Sequence, residues 1–524
     1  MSECSEDSIE LHLPDECWEL IFKTLKSHRH FQPLSLLSKQ CLSITNRLRT
    51  SLTVTPQTLP TLPRLLLRFP SLTTLHITRL PHAHLHALLL HLSRSALPLR
   101  SLSLSAHPSI PSDGFRYLSQ KTPPLKSLTC SHIASLTNSD LSLIKDYFPF
   151  LEHLDLSFPD NSSDPVSDSA VEALSLGLPN LRRVNLSGNF FIHDPSILSL
   201  CKNCQFLEEL VIFECHFITQ RGIASAIRER PCVSSLCVSN FGCGAKKGDF
   251  FRPHVTSDFI EALVGLKGLT CLDLSFSSIS DELLCCVAEE GIPLRKLVLQ
   301  GCCNYSYVGV LCLLSTCRFV EHLDLQNAEF LCDQRVEELC AFLGNLVYID
   351  VSGCRMVTDS ALLALARNCP FLEVLDLSSC CGVYEGVVEV LRRCTEVRHL
   401  SLAFCSGVRL TGLNFEVRKL EELNLSRSGI DDEALSVISK CCRWLLQLDL
   451  ENCSRVTAKG VRQMVENCTQ LREISLVSCY EVEASIVAWM VFSRPSLRRI
   501  MAPPRFDLSD GQRELFLRHG CLVC

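Results

Sequence analysis

Residues 368–394 read NCPFLEVLDLSSCCGVYEGVVEVLRRC and hold four of the chain's 32 cysteines. Inside this stretch, LEVLDL at 372–377 follows the pattern L-x-x-L-x-L, with apolar residues at positions one, four and six. Seventeen copies of this pattern begin at Leu72, Leu99, Leu125, Leu151, Leu181, Leu207, Val233, Leu269, Leu294, Val320, Leu346, Leu372, Val397, Leu420, Leu445, Leu471 and Leu497. Most copies lie 25 to 27 residues apart, which indicates that the 524 residues form one extended array of repeats.

This period is that of leucine-rich repeats and differs from the periods of ankyrin and tetratricopeptide arrays. The array resembles the cysteine-containing subclass of these repeats from about Leu72 to Met501. In VTDSALLALARNC, residues 357–369, Thr358 or Asp359 is predicted to cap the helix of its repeat. We therefore predict an α/β solenoid over residues 55–502, a leucine-rich-repeat horseshoe with parallel strands on the concave face and helices outside.

Many of the cysteines fall at two fixed positions of the repeat. One set lies eight residues after the first residue of the pattern: Cys215, Cys302, Cys354, Cys380, Cys405, Cys453 and Cys479. A second set lies three residues before the pattern: Cys204, Cys317, Cys369, Cys394, Cys442 and Cys468. Small, weakly polar thiols suit tight interior turns, and no two C-x-x-C pairs stand at the spacing of a zinc site. We therefore predict packing residues rather than disulfides, a metal site or a redox centre.

Charge and hydropathy narrow the classes of function. The chain has 50 Lys plus Arg against 57 Asp plus Glu, so no basic field points to nucleic acid or to acidic membranes. The acidic N-terminus lacks the features of a secretory signal, and the leucine-dense stretches are too short to span a bilayer. We expect a protein of the cytoplasm and/or nucleus that binds a protein or a small molecule. Since no phosphate-loop, hydrolase or zinc-protease motif occurs, we expect a non-catalytic protein without cofactor or metal.

The segment before the repeats, residues 9–54, follows a short tail at 1–8 that we expect to be disordered. Pro14, Asp15 and Glu16 are typical of a helix start. Two apolar stripes follow on that helix: Cys17, Leu20, Ile21 and Leu25 on one, and Trp18 and Phe22 on the other. So small a segment cannot bury both stripes by itself. We expect one stripe to face its own core and the other to face a partner protein.

This segment resembles an F-box. The matching residues are Leu13, Pro14, Glu16, Ile21, Leu25, Ser35, Leu36 and Leu37, while Cys41 stands where the family usually has Trp. With the repeats, the chain resembles F-box/leucine-rich-repeat proteins, most of all those of plants. The resemblance implies that the segment docks on the Skp-type adaptor of a cullin–RING (SCF) ubiquitin ligase. The adaptor-binding residues would be Leu13, Pro14, Trp18, Ile21, Phe22, Leu25, Leu36 and Leu37.

On this interpretation the repeats hold a protein substrate for ubiquitination and proteasomal degradation, and the chemistry takes place on other subunits. Two alternatives stay open. One is a scaffold that binds proteins without ubiquitination. The other is a small-molecule co-receptor that resembles the auxin and jasmonate co-receptors, which share this architecture.

The substrate surface is predicted on the concave face of the central and C-terminal repeats, where positions three and five of the pattern point outward. The candidate residues are His322, Asp324, Tyr348, Asp350 and Asp376. The three aspartates would stand on adjacent strands about 4.8 Å apart, which is repulsive unless hydrogen-bond donors or a cationic partner offset it. Their alternative role is to accept hydrogen bonds from backbone amides of the neighbouring loop.

Two further segments interrupt or end the array. Residues 239–254, SNFGCGAKKGDFFRPH, form an insertion after a strand, and its Phe241, Phe250 and Phe251 are candidates for substrate contact. The alternative is a tolerated surface loop. Residues 503–524 are predicted as a C-terminal cap or tail. Its last four residues fit a prenylation motif with Cys521 as acceptor, against the alternative of an ordinary helix end closed by Gly520.

Overall fold

The computed structural model describes residues 13–25, 31–56, 58–95, 97–121, 123–160, 165–239 and 255–524. The chain divides into two compact units, Met1–Ile218 and Thr219–Cys524. Within the described ranges, no helix is both long and apolar enough to cross a membrane.

The first unit opens with three helices and continues with alternating strands and helices. Its elements are α1 (Asp15–Lys23), α2 (Phe31–Leu34), α3 (Lys39–Leu48), β1 (Ser51–Val54), α4 (Leu62–Arg68), β2 (Thr74–Thr78), α5 (His82–Ser93), β3 (Ser101–Ser105), α6 (Ser112–Lys121), β4 (Ser127–Ser131), α7 (Asn138–Tyr147), β5 (His153–Asp155), α8 (Asp168–Gly177), β6 (Arg183–Asn185), α9 (Asp194–Asn203) and β7 (Glu209–Ile212).

The second unit repeats the same alternation. Its elements are α10 (Gln220–Glu229), β8 (Ser235–Val238), α11 (Ser257–Val264), β9 (Cys271–Asp273), α12 (Asp281–Glu289), β10 (Lys296–Val298), α13 (Tyr307–Thr316), β11 (His322–Asp324), α14 (Asp333–Cys340), β12 (Tyr348–Asp350), α15 (Asp359–Asn368), β13 (Val374–Asp376), α16 (Gly386–Arg393), β14 (His399–Ser401), β15 (Glu422–Asn424), α17 (Asp432–Cys441), β16 (Gln447–Asp449), α18 (Ala458–Asn467), β17 (Glu473–Ser475), α19 (Ile486–Ser493), β18 (Arg499–Met501), α20 (Asp510–Arg518) and β19 (Leu522–Val523).

Strands in both units pair in parallel in the order of the sequence. Every copy of L-x-x-L-x-L carries one strand. Alternate residues of a strand point to opposite faces, so the apolar residues at positions four and six share the buried face. In β12 and its flanks, Leu346, Ile349 and Val351 at positions one, four and six are at most 2% exposed. The predicted leucine-rich-repeat solenoid is confirmed.

Two strands lie outside the repeats that the leucine pattern marks. Strand β1 pairs with β2, so the sheet begins before residue 55, where we placed the start of the array. Strand β19 pairs with β18 and closes the other end. One helix is absent: between β14 and β15, where successive copies are 23 residues apart, the described chain forms turns and extended backbone.

Neighbouring repeats are joined by an aspartate at the first position of a helix. The Asp333 carboxylate accepts hydrogen bonds from the backbone N–H of Thr358 at 2.7 Å and from its hydroxyl at 2.6 Å. Asp432 accepts the same two bonds from Thr457, at 2.9 and 2.6 Å. The equivalent residues Asp168, Asp281 and Asp359 also accept backbone N–H bonds from the following repeat. We call these five aspartates the inter-repeat clamps.

A glycine in the next helix makes room for several of the clamps. A Cβ atom at Gly460 would lie 2.4 Å from Oδ1 of Asp432, and one at Gly309 would lie 2.4 Å from Oδ1 of Asp281. Real Cβ atoms essentially never approach that closely. The glycine at this helix position and the aspartate of the preceding repeat are therefore coupled, because a larger residue would clash with the carboxylate.

The cysteine column also links repeats. The thiols of Cys354, Cys380 and Cys405 donate to the sixth-position carbonyl of the preceding repeat at 3.5, 3.2 and 3.1 Å. Two other residue types do the same at this position, since Asn189 donates to Leu156 O and the His107 ring nitrogen Nε2 lies 3.2 Å from Ile77 O. The described cysteines are thiols rather than disulfides. The column therefore supplies a small side chain that both packs and bonds.

Burial keeps these thiols protonated. It raises the pKa of Cys354 to about 12 and those of Cys405 and Cys479 to about 11. A protonated, buried thiol is a poor nucleophile and a poor metal ligand. Among the described residues, no group of three or more His, Cys, Asp or Glu side chains is placed to hold a metal ion.

Replacing Cys380 by alanine is expected to lower the free energy of unfolding by about 1–2 kcal/mol, because the change removes a hydrogen bond and leaves a small void. The adjacent Cys381 is the matched control, since its side chain is exposed. Cys381→Ala should leave stability within about 0.5 kcal/mol of wild type. Urea midpoints under reducing conditions measure both, and equal losses would contradict the role given to the column.

Candidate protein-binding surfaces

The three N-terminal helices enclose a small core of their own. Phe22, Phe31, Cys41 and Ile44 are at most 8% exposed. The partly buried side chains packed against them are Trp18, Leu25, Leu34 and Leu48. Ser38 caps α3 by accepting from the Cys41 N–H at 3.0 Å. The residue at the family's usual Trp position is therefore a core residue here.

Polar contacts fix α1 against α3. Arg47 lies 2.8 Å from both Asp15 and Glu19, and the Gln40 amide donates to Asp15 at 2.8 Å. These hydrogen bonds, first from Gln40 and then from Arg47, lower the pKa of Asp15. The pairs are exposed, so their contribution is orientation more than stability.

One predicted stripe of α1 faces inward, but the other is divided, because Leu20 and Ile21 are exposed while Leu25 packs against the core. Trp18 and Phe22 face the core, with ring centroids 5.7 Å apart. Leu20 is 65% exposed and Ile21 is 45% exposed. Phe22 at 2% exposure is buried too deeply to contact an adaptor, because it fills the core itself. This corrects its place among the predicted contact residues.

The other predicted adaptor-binding residues divide in the same way. Leu36 and Leu37, in the turn between α2 and α3, are 83% and 72% exposed. Pro14 is exposed and Leu13 half-buried, while Trp18 and Leu25 are half-buried and pack against the core. We name Leu20, Ile21, Leu36 and Leu37 the apolar quartet. Leu20 was on the predicted outer stripe but not among the predicted contact residues.

The second candidate surface is the outer face of the sheet in the second unit. The register pairs His322 with Tyr348, and their rings stack with centroids 3.8 Å apart and planes 7° apart. Burial and then Lys296 lower the pKa of His322 to about 4, so this ring is neutral at physiological pH. Two of the predicted surface residues thus form one flat aromatic step.

The three predicted aspartates stand side by side, with Asp324 paired to Asp350 and Asp350 to Asp376. Each carboxylate accepts from the backbone N–H two residues later, at 3.0, 2.8 and 2.8 Å respectively. This is the backbone bonding that we considered as their alternative role. Asp324 and Asp350 are only 7% and 8% exposed, whereas Asp376 is half-buried.

Burial dominates the electrostatics of this row. It raises the pKa of Asp324 to about 7, against a lowering hydrogen bond from Gln326 and with smaller raising effects from Asp350, Asp273 and Asp376. It also raises the pKa of Asp350. Asp324 is therefore partly protonated near neutral pH, which relieves the repulsion that the sequence indicated.

A groove of about 520 Å³ continues the same face towards the C-terminal end of this unit. Its floor is formed by the strands from β12 to β18, and its outward side chains include Asp376, His399, Glu422, Gln447, Asp449, Glu473, Arg499 and Met501. His399 lies 2.9 Å from Glu422. The sequence prediction included the C-terminal repeats in this surface but named no candidate residue beyond Asp376, although positions three and five of the pattern mark these residues.

Two further predictions concern the insertion at 239–254 and the prenylation motif at the C-terminal end. Phe241, Phe250 and Phe251 of the insertion lie outside the described residues. Cys521 is 1% exposed, and burial raises the pKa of its thiol to about 11. The next residues form β19, and Gly520, with a φ of +76°, closes α20 as the alternative expected. The strand pairing and the buried thiol argue against prenylation, which needs an accessible C-terminal peptide.

Comparisons with known proteins agree with the repeat fold. The Leucine Rich repeat family model matches residues 418–439. The lysine-specific demethylase 2B of Mus musculus is 28% identical over 210 residues, which are 37% of this chain and 14% of that protein. F-box/LRR-repeat protein 4 of Bos taurus is 25% identical over 233 residues, 38% of this chain and 34% of that protein. The similarity thus spans about a third or less of these relatives.

A solved structure of similar architecture covers most of the chain. A chain in the crystal structure of the Rad7 and Elc1 complex in yeast aligns with a TM-score of 0.52 at 19% identity. The alignment covers 88% of this chain and 96% of that one. At this identity the likeness supports the fold alone.

Proposed function

We propose that this chain is the substrate-recognition subunit of an SCF-type ubiquitin ligase. Its N-terminal helices would dock on a Skp-type adaptor, and through it on a cullin–RING core. The observation that carries the proposal is the apolar quartet, four large side chains left exposed on a helical module that already has its own core. Exposed apolar groups of this size are typical of protein interfaces. The similarity to an F-box/LRR-repeat protein supports the assignment.

The repeats would present the substrate. We propose the sheet face of the second unit, with His322, Tyr348, Asp376 and the groove beyond them, as the capture surface. Aspartates and glutamates outnumber cations in the groove, which favours a cationic segment of the substrate. Asp324 and Asp350 would shape the floor rather than touch the substrate, because they are mostly buried. The likeness to plant members and a place in the cytoplasm or nucleus remain predictions.

Substituting both Leu36 and Leu37 by aspartate is expected to weaken binding to a purified Skp-type adaptor by at least about 100-fold, which is roughly 3 kcal/mol. The reason is that two charges would enter an apolar interface. Thermal stability should stay near that of wild type, because both side chains are exposed. Fluorescence anisotropy with labelled adaptor measures the affinity.

Leu67→Asp is the matched control, since Leu67 is 86% exposed but lies on α4 outside the three helices. It should bind adaptor like wild type. Phe22→Ala should instead lose stability and binding together, as a core residue would. Full adaptor affinity in the Leu36 and Leu37 double variant would overturn the proposed docking.

A further inference from the structure

We propose that Phe404 is a specificity-determining residue of the capture surface, and that its ring binds a large aromatic side chain of the substrate. Phe404 lies in the segment between β14 and β15, three residues after Ser401, which lines the groove. This inference rests on the capture surface proposed above. It narrows the substrate to a segment that is both cationic and aromatic.

The backbone at Phe404 adopts a conformation that is strained for a bulky residue. Its φ is +60°, in the left-handed region. Other repeats place Gly353, with a φ of +74°, or Asn452, with a φ of +55°, at the same position of the pattern, and these residue types adopt it at lower cost. The Phe404 ring is 51% exposed, so burial offsets only part of the strain.

Other phenylalanines at this position have a packing role that Phe404 lacks. Each lies over a glycine of the next repeat, where a Cβ atom would come within 2.7 Å of the phenylalanine Cδ1. The pairs are Phe276 over Gly301 and, in the first unit, Phe158 over Gly188. In the repeat after Phe404 the equivalent residue is Arg427. Filling the space above a glycine therefore does not account for this ring.

Arg427 instead links the Phe404 ring to the groove. Its guanidinium carbon lies 5.1 Å from the centroid of the ring. Its Nη2 lies 3.3 Å from Oε1 of Glu451, and its backbone N–H donates to Glu451 O at 2.7 Å. Glu451 is one of the residues that line the groove. The aromatic ring is thus held at the margin of the groove, with the guanidinium over one of its faces.

Tyr384 brings a second exposed ring to the same segment. Its side chain is 50% exposed, and a Cβ atom at Gly407 would collide with its Cε1. Gly407 follows Phe404 by three residues, and the backbone N–H of Arg409 donates to Tyr384 O at 3.3 Å. Aromatic side chains are enriched in protein interfaces and contribute much of their binding energy. The segment therefore presents two such side chains beside the groove.

The charge of the groove selects the kind of segment that brings the aromatic side chain. The carboxylates among its described lining residues are Asp376, Glu422, Asp449, Glu451 and Glu473, against the single arginine Arg499. A cationic segment complements this charge. An acidic segment does not, because Arg427 at the margin is already paired with Glu451. An aromatic side chain on a cationic segment can cover the exposed part of the Phe404 ring.

A displayed library of random short peptides, selected on the full chain, provides the test. Peptides selected on the wild type should be enriched at least about three-fold over the library in arginine and lysine, and by a similar factor in aromatic residues. Phe404→Asn should keep the cationic enrichment and lose the aromatic one. Phe276→Asn is the matched control, since Phe276 has the same backbone position but does not line or border the groove. It should keep both enrichments.

Urea midpoints separate binding from folding. Phe404→Asn should be as stable as wild type or more stable, because asparagine tolerates the left-handed backbone. Phe276→Asn should be less stable, because its ring packs over Gly301. Should Phe404→Asn unfold, Phe404→Ser replaces it, since Ser379 and Ser478 adopt this conformation in other repeats.

The selections also separate this inference from the function on which it rests. Cationic enrichment without aromatic enrichment on the wild type, or aromatic enrichment that persists in the Phe404 variant, would overturn the role of Phe404 and leave the capture surface in place. Selection of acidic peptides, or of peptides with no cationic enrichment, would overturn the capture surface as well.

Discussion

Replacing Asp432 by alanine is expected to lower the free energy of unfolding by about 3 kcal/mol, because two hydrogen bonds to a charged acceptor are lost and the Thr457 N–H keeps no partner. Asp510 is the matched control. It is also the first residue of its helix, but it is exposed and lies on α20, which is followed in the described residues by strand β19. Asp510→Ala should cost about 0.5 kcal/mol or less. Urea denaturation followed by circular dichroism compares the two.

A double-mutant cycle with Gly460 isolates the clamp. Gly460→Ala alone should destabilise, since its Cβ would lie 2.4 Å from Oδ1 of Asp432. In the Asp432→Ala background the same change should cost much less, because the obstructing carboxylate is gone and alanine favours helix by about 1 kcal/mol. Additive effects of the two substitutions would contradict the clamp geometry.

Asp324→Asn is expected to stabilise the protein at pH 8 by up to about 4 kcal/mol, from a pKa displaced from 3.8 to about 7. A carboxyl whose pKa is raised on folding supports stability below pH 4 and loses that support as pH rises through 7. Asparagine does not titrate, so the variant should show a flatter dependence of unfolding free energy on pH between 4 and 8. Urea midpoints across this range measure the slope.

The chain itself shows that asparagine fits this position. Asn185 and Asn424 occupy it in other repeats and accept the same backbone bond at 3.0 Å. Asp449→Asn is the control, because Asp449 makes the equivalent bond but is more exposed. It should change stability far less. A pH profile of the Asp324 variant that parallels wild type would refute the assignment.

The leucine pattern predicted seventeen strands because each repeat hides the same three positions, and repetition turns a weak signal into a strong one. Strands β1 and β19 escaped prediction since each has a single copy of a short alternation and gains its place only by pairing with a neighbour. In the N-terminal segment the sequence predicted that α1 carries two apolar stripes. Which of them faces inward depended on the packing against α3, and Phe22 was misassigned for that reason.

The candidate sheet face was predictable to the extent that alternation fixes which side chains point outward. Whether an outward aspartate is available to a partner was not, because Asp324 and Asp350 are enclosed by groups contributed from adjacent repeats.

The missing helix between β14 and β15 affects where we expect the second unit to unfold first. In a repeat array each repeat holds only its neighbours, so cooperativity passes along the chain one junction at a time. At the junction between β14 and β15 the described chain has neither a helix nor an inter-repeat clamp. The connecting segment is held instead by contacts such as the hydrogen bond from the Val417 N–H to Cys441 O at 2.8 Å. We therefore expect the second unit to be weaker at this junction than at junctions that carry both a helix and a clamp. Partial opening would release β15 to β19 as one block, and the groove that spans this junction would be lost with it.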